Sequence, residues 1–277
     1  MTIAISLIAG VFGLLVGSFL NVVVYRVPIG KSIVSPPSSC PGCGSAIAAY
    51  DNVPVVSWLV LGGKCRNCKQ PISRRYPLVE LGTGLFFAVV ALALSSTLID
   101  ADTARGSVAS VLVFAAFLYL AAITVALALI DIDVHKLPNA IVLPSYIVAA
   151  VLFTTASILT GDFSAMLRAG IAMGAFFVAY FLMALVYPGG MGLGDVKLAG
   201  VLGIYLGWVG WGAVAVGALA AFVLAGIYAA ILLLARRANR KSGIPFGPWM
   251  LAGAWLGIGV GNAAFADYLS LFGLTAG

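Results

Sequence analysis

Long apolar runs recur along the whole chain, and they constrain its fold more than any other feature. A helix of about 20 apolar residues crosses a hydrocarbon core of about 30 Å. We therefore predict an all-α, polytopic transmembrane protein with about eight spans. Their predicted bounds are 3–25, 77–99, 107–130, 140–160, 167–187, 196–209, 211–235 and 248–272.

The composition excludes a single water-soluble core. Of the 277 residues, 62% are hydrophobic and 9% are charged, whereas about a quarter of the residues of a soluble domain are charged. The segment 196–209 is short and rich in glycine, so we expect it to lie against protein or a water-filled cavity, where irregular backbone is tolerated. Glycines in the other spans predict close helix contacts; they are Gly170, Gly174, Gly217, Gly226, Gly253 and Gly257.

The distribution of basic residues predicts an orientation and gives no support for a nucleic-acid partner. The first charged residue is Arg26, so the segment before it lacks the basic start of a cleaved signal peptide and is predicted to be a retained helix with its N-terminus outside. All basic residues except Arg105 and Arg168 then lie in cytoplasmic segments, as the positive-inside rule expects. They are Arg26, Lys31, Lys64, Arg66, Lys69, Arg74, Arg75, Lys136, Lys197, Arg236, Arg237, Arg240 and Lys241. We predict a multi-pass protein of the cytoplasmic membrane.

One large polar segment interrupts the apolar runs, on the predicted cytoplasmic side. It contains all four cysteines and several prolines and glycines. The chain is therefore divided into a first transmembrane helix (1–26), a cytoplasmic four-cysteine loop (27–76) and a membrane-embedded core (77–277).

The cysteines form two C-x2-C pairs, Cys40–Cys43 and Cys65–Cys68. Two such pairs place four thiolates around one tetrahedral ion, and four sulfur ligands are typical of structural zinc. Disulfides are the competing interpretation, but the reducing cytoplasm disfavours them. The sequence predicts a zinc-ribbon-like loop that Zn²⁺ folds, because the loop is too small to build a core of its own.

The nine acidic residues indicate where chemistry is expected. Four of them lie near the predicted inner membrane boundary: Glu80, Asp131, Asp133 and Asp195. An ionisable residue at that depth is costly and is a functional candidate. The others are Asp51 in the loop and Asp100, Asp102, Asp162 and Asp267 at outer helix ends, where solvated carboxylates are expected.

Asp131 and Asp195 are the candidate catalytic pair. Asp131 follows a long apolar run, and Asp195 ends the segment GGMGLGD, in which Gly192 and Gly194 permit close approach of another helix or an extended substrate. In one shared cavity, one carboxylate could activate water while the other, protonated, polarises a carbonyl. The residues alone leave open that both are boundary carboxylates paired with Lys136 or Lys197.

Other polar residues near the pair have simpler explanations. Asp133 points away from Asp131 on a helix and can pair locally. His135 has no visible partner acid or nucleophile, so a solvated boundary histidine is expected. Ser18 and Asn21 can line a site or serve helix packing.

The ordered motifs resemble the type IV prepilin peptidase family of intramembrane aspartic proteases. GSFLNVVVYRVP (17–28), the two cysteine pairs and SRRYPLVE (73–80) resemble its amino-terminal half. DIDVHKLPN (131–139), GGMGLGDVKLAG (189–200) and IPFGP (244–248) resemble its protease core. Asn139 stands where many members have an aspartate, which we expect to matter little.

The resemblance implies a metal-independent aspartic endopeptidase with Asp131 and Asp195 as its dyad. Such enzymes remove the short basic leader of prepilins or pseudopilins at the cytoplasmic membrane face, typically after a glycine. It also implies N-methylation of the new amino terminus with S-adenosylmethionine. We expect Gly192, Gly194 and Lys197 to support the site, and Asp133 and Glu80 to attract the leader.

Three alternatives remain open from the residues. A transporter or channel would also need intramembrane carboxylates, but it would move a solute and leave no cleaved product. A lipid phosphotransferase could bind magnesium through Asp131 and Asp133 and would depend on that metal. A preflagellin peptidase would share the dyad but usually lacks the long cysteine loop.

Overall fold

The computed structural model describes residues 1–99, 103–187, 190–236 and 243–274. Asp100, Asp102, Arg237, Arg240 and Lys241, which carried predictions above, lie outside these residues. The helices are α1 (Thr2–Arg26), α2 (Val56–Val60), α3 (Arg75–Ile99), α4 (Ala104–Val134), α5 (Asn139–Thr160), α6 (Ser164–Val186), α7 (Leu193–Val209), α8 (Trp211–Leu234) and α9 (Gly247–Ser270). The predicted all-α class is confirmed, since the described residues form no strand beyond two isolated bridges.

Seven helices in the described residues are long and apolar enough to cross a membrane: α1, α3, α4, α5, α6, α8 and α9. The chain is therefore a multi-pass membrane protein. The eighth predicted span, 196–209, is helical, but α7 has 17 residues. Its length of about 25 Å is less than the thickness of a hydrocarbon core.

The chain divides into two compact units at the junction of Ile130 and Asp131, inside the last turns of α4. In the first unit, α1 packs along α3 through small residues. A β-carbon on Gly13 would lie 2.7 Å from Cβ of Phe87, and one on Gly17 would lie 2.7 Å from Cα of Glu80. Close helix contact at these glycines aligns the end of α1 with the start of α3.

In the second unit, α7 forms the centre of the core. Every residue from Leu198 to Gly207 is buried. The helix packs closely on α6, because β-carbons on Gly203 and Gly207 would lie 2.6 Å from the Ala172 carbonyl oxygen and 2.7 Å from Cα of Ala169. The expectation that this segment lies against protein is therefore confirmed.

The helices α8 and α9 pack through the predicted glycines in part. An added β-carbon would lie less than 3 Å from an atom of a neighbouring helix at Gly217, Gly253 and Gly257. Gly170, Gly174 and Gly226 have no atom within 4 Å of that position among the described residues, so the prediction of close contacts was wrong for these three.

The loop between α1 and α3 contains the short helix α2 and two turns that carry the cysteine pairs. An isolated bridge brackets each turn, Ser39 with Ala46 and Lys64 with Pro71. The bounds of the loop agree closely with the predicted segment 27–76, since α1 ends at Arg26 and α3 begins at Arg75. The division of the chain into 1–26, 27–76 and 77–277 stays a prediction.

Candidate active site

Asp131 lies in the last turn of α4, which continues beyond the predicted end of this span to Val134. Its side chain is 5% exposed. Oδ2 accepts a hydrogen bond of 3.0 Å from the backbone N–H of Gly247, the first residue of α9. The first N–H groups of a helix have no partner within it. The start of α9 therefore supplies the donor that a buried carboxylate needs.

Asp195 lies in the first turn of α7 and is partly buried. Its Oδ2 accepts a hydrogen bond of 3.1 Å from the backbone N–H of Gly192, the residue that precedes the helix. This contact is one half of a capping box. It satisfies a free donor at the helix start and places the carboxylate in the positive field of the helix N-terminus.

Leu137 lies between the start of α7, which carries Asp195, and the start of α9, which donates to Asp131. A β-carbon on Gly194 would lie 3.1 Å from Cβ of Leu137, and one on Gly247 would lie 3.2 Å from Cδ2 of the same side chain and 2.8 Å from Oδ2 of Asp131. The starts of α7 and α9 and the segment after α4 thus converge. Burial raises the pKa of Asp195 to about 6, and the Asp131 carboxylate adds to that rise.

The arrangement leaves one oxygen of each carboxylate available. In both residues Oδ2 accepts a hydrogen bond from a helix start, and the described residues form no hydrogen bond to either Oδ1. Two carboxyl groups that interact in a partly dehydrated site titrate as a pair. One can be protonated while the other is ionised, which general acid–base chemistry requires.

The predicted supporting residues in the second unit lie close to this pair. Gly192 donates to Asp195, and Gly194 contacts Leu137. Lys197 donates from Nζ to Oδ1 of Asn139 at 3.0 Å. Neither this residue nor Lys136 forms an ion pair with Asp131 or Asp195 among the described residues, so the boundary-pair interpretation has no support.

Asp133 and His135 follow Asp131 and are exposed. His135 directly follows α4 and has a φ of 52°, and its N–H donates to the carbonyl of Asp131 at 2.9 Å. An exposed histidine at this place agrees with the expected solvated boundary residue.

Glu80 belongs to the first unit and is 8% exposed. Its Oε2 accepts a hydrogen bond of 2.7 Å from the N–H of Val55, whose φ of 60° is unusual for a β-branched residue. Asn21 donates from Nδ2 to the Tyr76 carbonyl at 3.2 Å. Both residues therefore connect α1, the loop and α3 within this unit.

The four cysteines come together as predicted. The sulfur atoms of Cys40, Cys43, Cys65 and Cys68 all lie within 4.8 Å of one another. Cys40 and Cys68 are 3.7 Å apart at sulfur, and a tetrahedral zinc with bonds of about 2.3 Å separates its sulfur ligands by about 3.8 Å. The described cysteines form no disulfide. The residues therefore fit one metal ion with a closed shell.

The titration of the thiols also favours a cation. The hydroxyl and N–H of Ser45 lower the pKa of Cys43 to about 6. The pKa of Cys68 rises to about 11, because partial desolvation and the other three cysteines outweigh the opposing hydrogen bond from Gln70. Four thiolates this close repel one another, and a bound cation removes that repulsion.

Two family models match the chain, one over its amino-terminal part and one over its carboxyl-terminal part. The bacterial peptidase A24 N-terminal domain matches residues 11–94, which contain the four cysteines and Glu80. The type IV leader peptidase family matches residues 117–234, which contain Asp131 and Asp195. The chain belongs to the type IV leader peptidase family.

Relatives in this family align with nearly the whole chain. The prepilin leader peptidase/N-methyltransferase of Stutzerimonas stutzeri is 33% identical over 291 residues, covering 96% of this chain and 94% of the relative. The protein of the same name from Aeromonas hydrophila is 34% identical over 290 residues, covering 94% and 92%. That of Pseudomonas aeruginosa is 34% identical over 285 residues, covering 94% and 92%. No solved structure matches the chain.

Two residues of the site were missed by sequence reasoning. Gly247 contributes a backbone N–H, which any residue except proline possesses, and Leu137 contributes shape alone. The available signals were the motifs DIDVHKLPN (131–139) and IPFGP (244–248), which contain these residues. Gly247-Pro248 also stands at the start of an apolar run, and proline in the first turn is typical of a helix start.

Proposed function

We propose that this member of the family is an intramembrane aspartic endopeptidase that removes the basic leader of prepilins or pseudopilins. Asp131 and Asp195 are its catalytic dyad. The observation that carries this proposal is the convergence of two carboxylates at the starts of α9 and α7, each with one oxygen hydrogen-bonded and the other available. The relatives named above support the substrate class.

The dyad would act through water. The ionised carboxylate takes a proton from water as the water oxygen attacks the scissile carbonyl carbon, and the protonated carboxyl donates to the carbonyl oxygen. The tetrahedral intermediate then collapses, the C–N bond breaks, and the leaving amine takes up a proton. Gly192 and Gly194 present little bulk beside Asp195, which suits an extended substrate backbone.

We place the dyad and the cysteine loop at the cytoplasmic face, on the distribution of lysine and arginine. The exposed Asp133, in the same turn of α4 as Asp131, is placed to attract the basic leader. Glu80 is buried and accepts from the N–H of Val55, so we assign it the role of holding the cysteine-containing loop against α3. If Asp133→Asn leaves the KM for a basic-leader substrate unchanged, this role of Asp133 is wrong.

We assign the four cysteines to one structural zinc ion. Cys40, Cys43, Cys65 and Cys68 would bind it as thiolates, and its chemistry is to neutralise them and so fix the loop. With four protein ligands no coordination position is left for substrate. The zinc has no part in the cleavage step.

The printed names of the relatives include N-methyltransferase, and we propose that activity for this chain, with S-adenosylmethionine as methyl donor. The structure assigns no residues to the donor. The cavity in the loop, lined by Tyr50, Asp51, Ser57 and Arg66 among others, has a volume of 90 Å³. Pockets that bind drug-sized ligands have volumes of about 300–1,000 Å³. The cavity is therefore too small for S-adenosylmethionine, and we assign it no part in methylation.

Family membership favours the peptidase over the alternatives that the residues left open. A transporter or a lipid phosphotransferase would not account for matches to peptidase domains over both halves of the chain. The match of the cysteine-containing half to the bacterial N-terminal domain favours the pilin-processing branch over preflagellin peptidases.

The test is cleavage of a purified prepilin by the full chain in detergent. Asp131→Asn and Asp195→Asn should each reduce cleavage to a small residual rate, while brief exposure to a chelator leaves the wild type active. Asp162→Asn is the matched control, because Oδ1 of this carboxylate accepts from the N–H of Ser164 at the start of α6, a contact that asparagine keeps. Near-wild-type cleavage by both dyad variants, or immediate loss on chelation, would refute the aspartic mechanism.

A further inference from the structure

Two hydrogen bonds join the start of α7 to α5, and Lys197 takes part in both. Its ammonium donates to Oδ1 of Asn139 at 3.0 Å. Its backbone carbonyl accepts a second bond, of 2.6 Å, from the hydroxyl of Tyr146. Asn139 and Tyr146 are seven residues apart on α5 and so lie on one face of that helix.

Gly200 makes the second contact sterically feasible. A β-carbon at this position would overlap the hydroxyl of Tyr146. The absence of a side chain on α7 therefore lets the phenol ring of α5 reach the backbone one turn earlier in α7. The pair Tyr146 and Gly200 is complementary in shape as well as in hydrogen bonding.

These contacts lie opposite the catalytic carboxylate. Lys197 follows Asp195 by two residues, which is a rotation of about 200° around a helix. The start of α7 contacts Leu137 through Gly194, next to Asp195, while Lys197 is bonded to α5. A displacement of the first turn of α7 would change the distance between the two carboxylates.

We propose that Tyr146 and Asn139 are positioning residues for the dyad. They fix the first turn of α7 from behind and thereby set the place of Asp195 relative to Asp131. The inference rests on the proposed function, since it concerns the geometry of that catalytic pair. Misplacement of a reacting group by about 1 Å can reduce a rate by about a hundredfold, so loss of one contact is expected to lower kcat and leave substrate binding nearly intact.

Two variants each remove one of the contacts, and a third keeps the contact with Lys197 through a different side chain. Tyr146→Phe keeps the ring and removes the donor, and Asn139→Ala removes the acceptor for Lys197. Asn139→Asp keeps that acceptor and adds a charge opposite the ammonium. We expect kcat to fall about tenfold in Tyr146→Phe and several-fold in Asn139→Ala, with KM within about twofold in both. Asn139→Asp should match the wild type or exceed it.

A matched control separates positioning from stability. Asn262 bonds the other end of the same helix, donating from Nδ2 to the Val209 carbonyl and accepting from the Ala213 N–H, both at 3.1 Å. Asn262→Ala also removes a side-chain bond to the α7 backbone, together with one to the first turn of α8, but far from Asp195. We expect it to lower the thermal unfolding temperature at least as much as Tyr146→Phe does and to leave kcat unchanged.

The experiment measures kcat, KM and thermal unfolding for these variants and for Asp195→Asn, with the zinc-containing full chain in detergent. Loss of kcat in Tyr146→Phe and Asn139→Ala, with activity retained in Asn139→Asp and Asn262→Ala, supports the proposal. Wild-type kcat in Tyr146→Phe, or equal loss of kcat in Asn262→Ala, overturns it. Cleavage by Asp195→Asn at the wild-type rate would refute the dyad itself, which is a distinguishable result.

Discussion

The backbone N–H of Gly247 donates to Oδ2 of Asp131 at 3.0 Å, so that the start of α9 meets the last turn of α4 at a buried carboxylate. These residues are far apart in the chain. The bond satisfies one oxygen of Asp131 with a donor that cannot itself ionise. It leaves the other oxygen for water or substrate, and it fixes the rotation of the carboxylate about its side-chain axis.

Replacement of Gly247 by alanine should abolish most cleavage. The added β-carbon would lie 2.8 Å from Oδ2 of Asp131 and 3.2 Å from Cδ2 of Leu137, so one of them must move. We expect kcat to fall by about a hundredfold or more. The measurement is the initial rate of prepilin cleavage at saturating substrate.

Gly259→Ala is the control for that variant. It lies on the same helix, and no atom lies within 4 Å of its β-carbon position among the described residues. Its rate should equal that of the wild type. Equal rates for Gly247→Ala and Gly259→Ala would show that the Gly247–Asp131 contact does not affect the role proposed for Asp131.

The purified chain should contain one zinc ion. Cys40→Ser removes the buried ligand of the set, and metal analysis should then find little or no zinc. The loop should become sensitive to protease, because the metal supplies most of its folding free energy. Stoichiometric zinc in Cys40→Ser, or a wild type without metal and with the cysteines oxidised to disulfides, would contradict the assignment.

The ion pair of Asp51 and Arg66 should make the loop sensitive to acid. Hydrogen bonds from the Arg66 guanidinium hold the pKa of Asp51 below its ordinary value. A lowered pKa in the folded state means that the pair stabilises the loop above about pH 3.9, the ordinary value for aspartate, and that this contribution is lost as pH falls through the folded value.

Carboxyl NMR titration of the detergent-solubilised chain measures this effect. In Arg66→Gln the pKa of Asp51 should rise toward its ordinary value. Lys64→Gln, a loss of charge in the same turn without a bond to Asp51, should leave it unchanged. An unaltered Asp51 titration in Arg66→Gln would mean that the pair does not form in solution.

The sequence predicted the helices and the cysteine cluster better than it predicted the contacts between helices. Apolar runs of sufficient length specify spans whatever their neighbours, and two C-x2-C pairs specify a cluster because local turns determine the sulfur positions. The cysteine cluster and seven of the eight predicted spans are confirmed, and the segment 196–209 forms a helix that is shorter than a span. The catalytic assignment of Asp131 and Asp195 stays a proposal, although the structure brings both to one site.

The failures share a physical cause. Gly170, Gly174 and Gly226 were expected at helix contacts, but glycine content does not reveal which face of a helix meets a neighbour. Gly247 and Tyr146 contribute through single bonds to residues far away in the chain, Asp131 and Lys197, and a residue's type does not reveal such a partner. In the cysteine turns, Lys69 has a φ of 59° where its counterpart Gly44 has 70°, so even a left-handed position was not marked by glycine.

The most direct test of the central claim is a double-variant cycle on the dyad. Cleavage rates are measured for Asp131→Asn, Asp195→Asn and the combined variant, each confirmed as folded by thermal unfolding. If the two carboxylates act as one unit, either single change already removes the acid–base step, and the double variant should be no slower than the slower single one. A combined loss equal to the product of the two separate losses would contradict the account, because it would mean that Asp131 and Asp195 contribute independently.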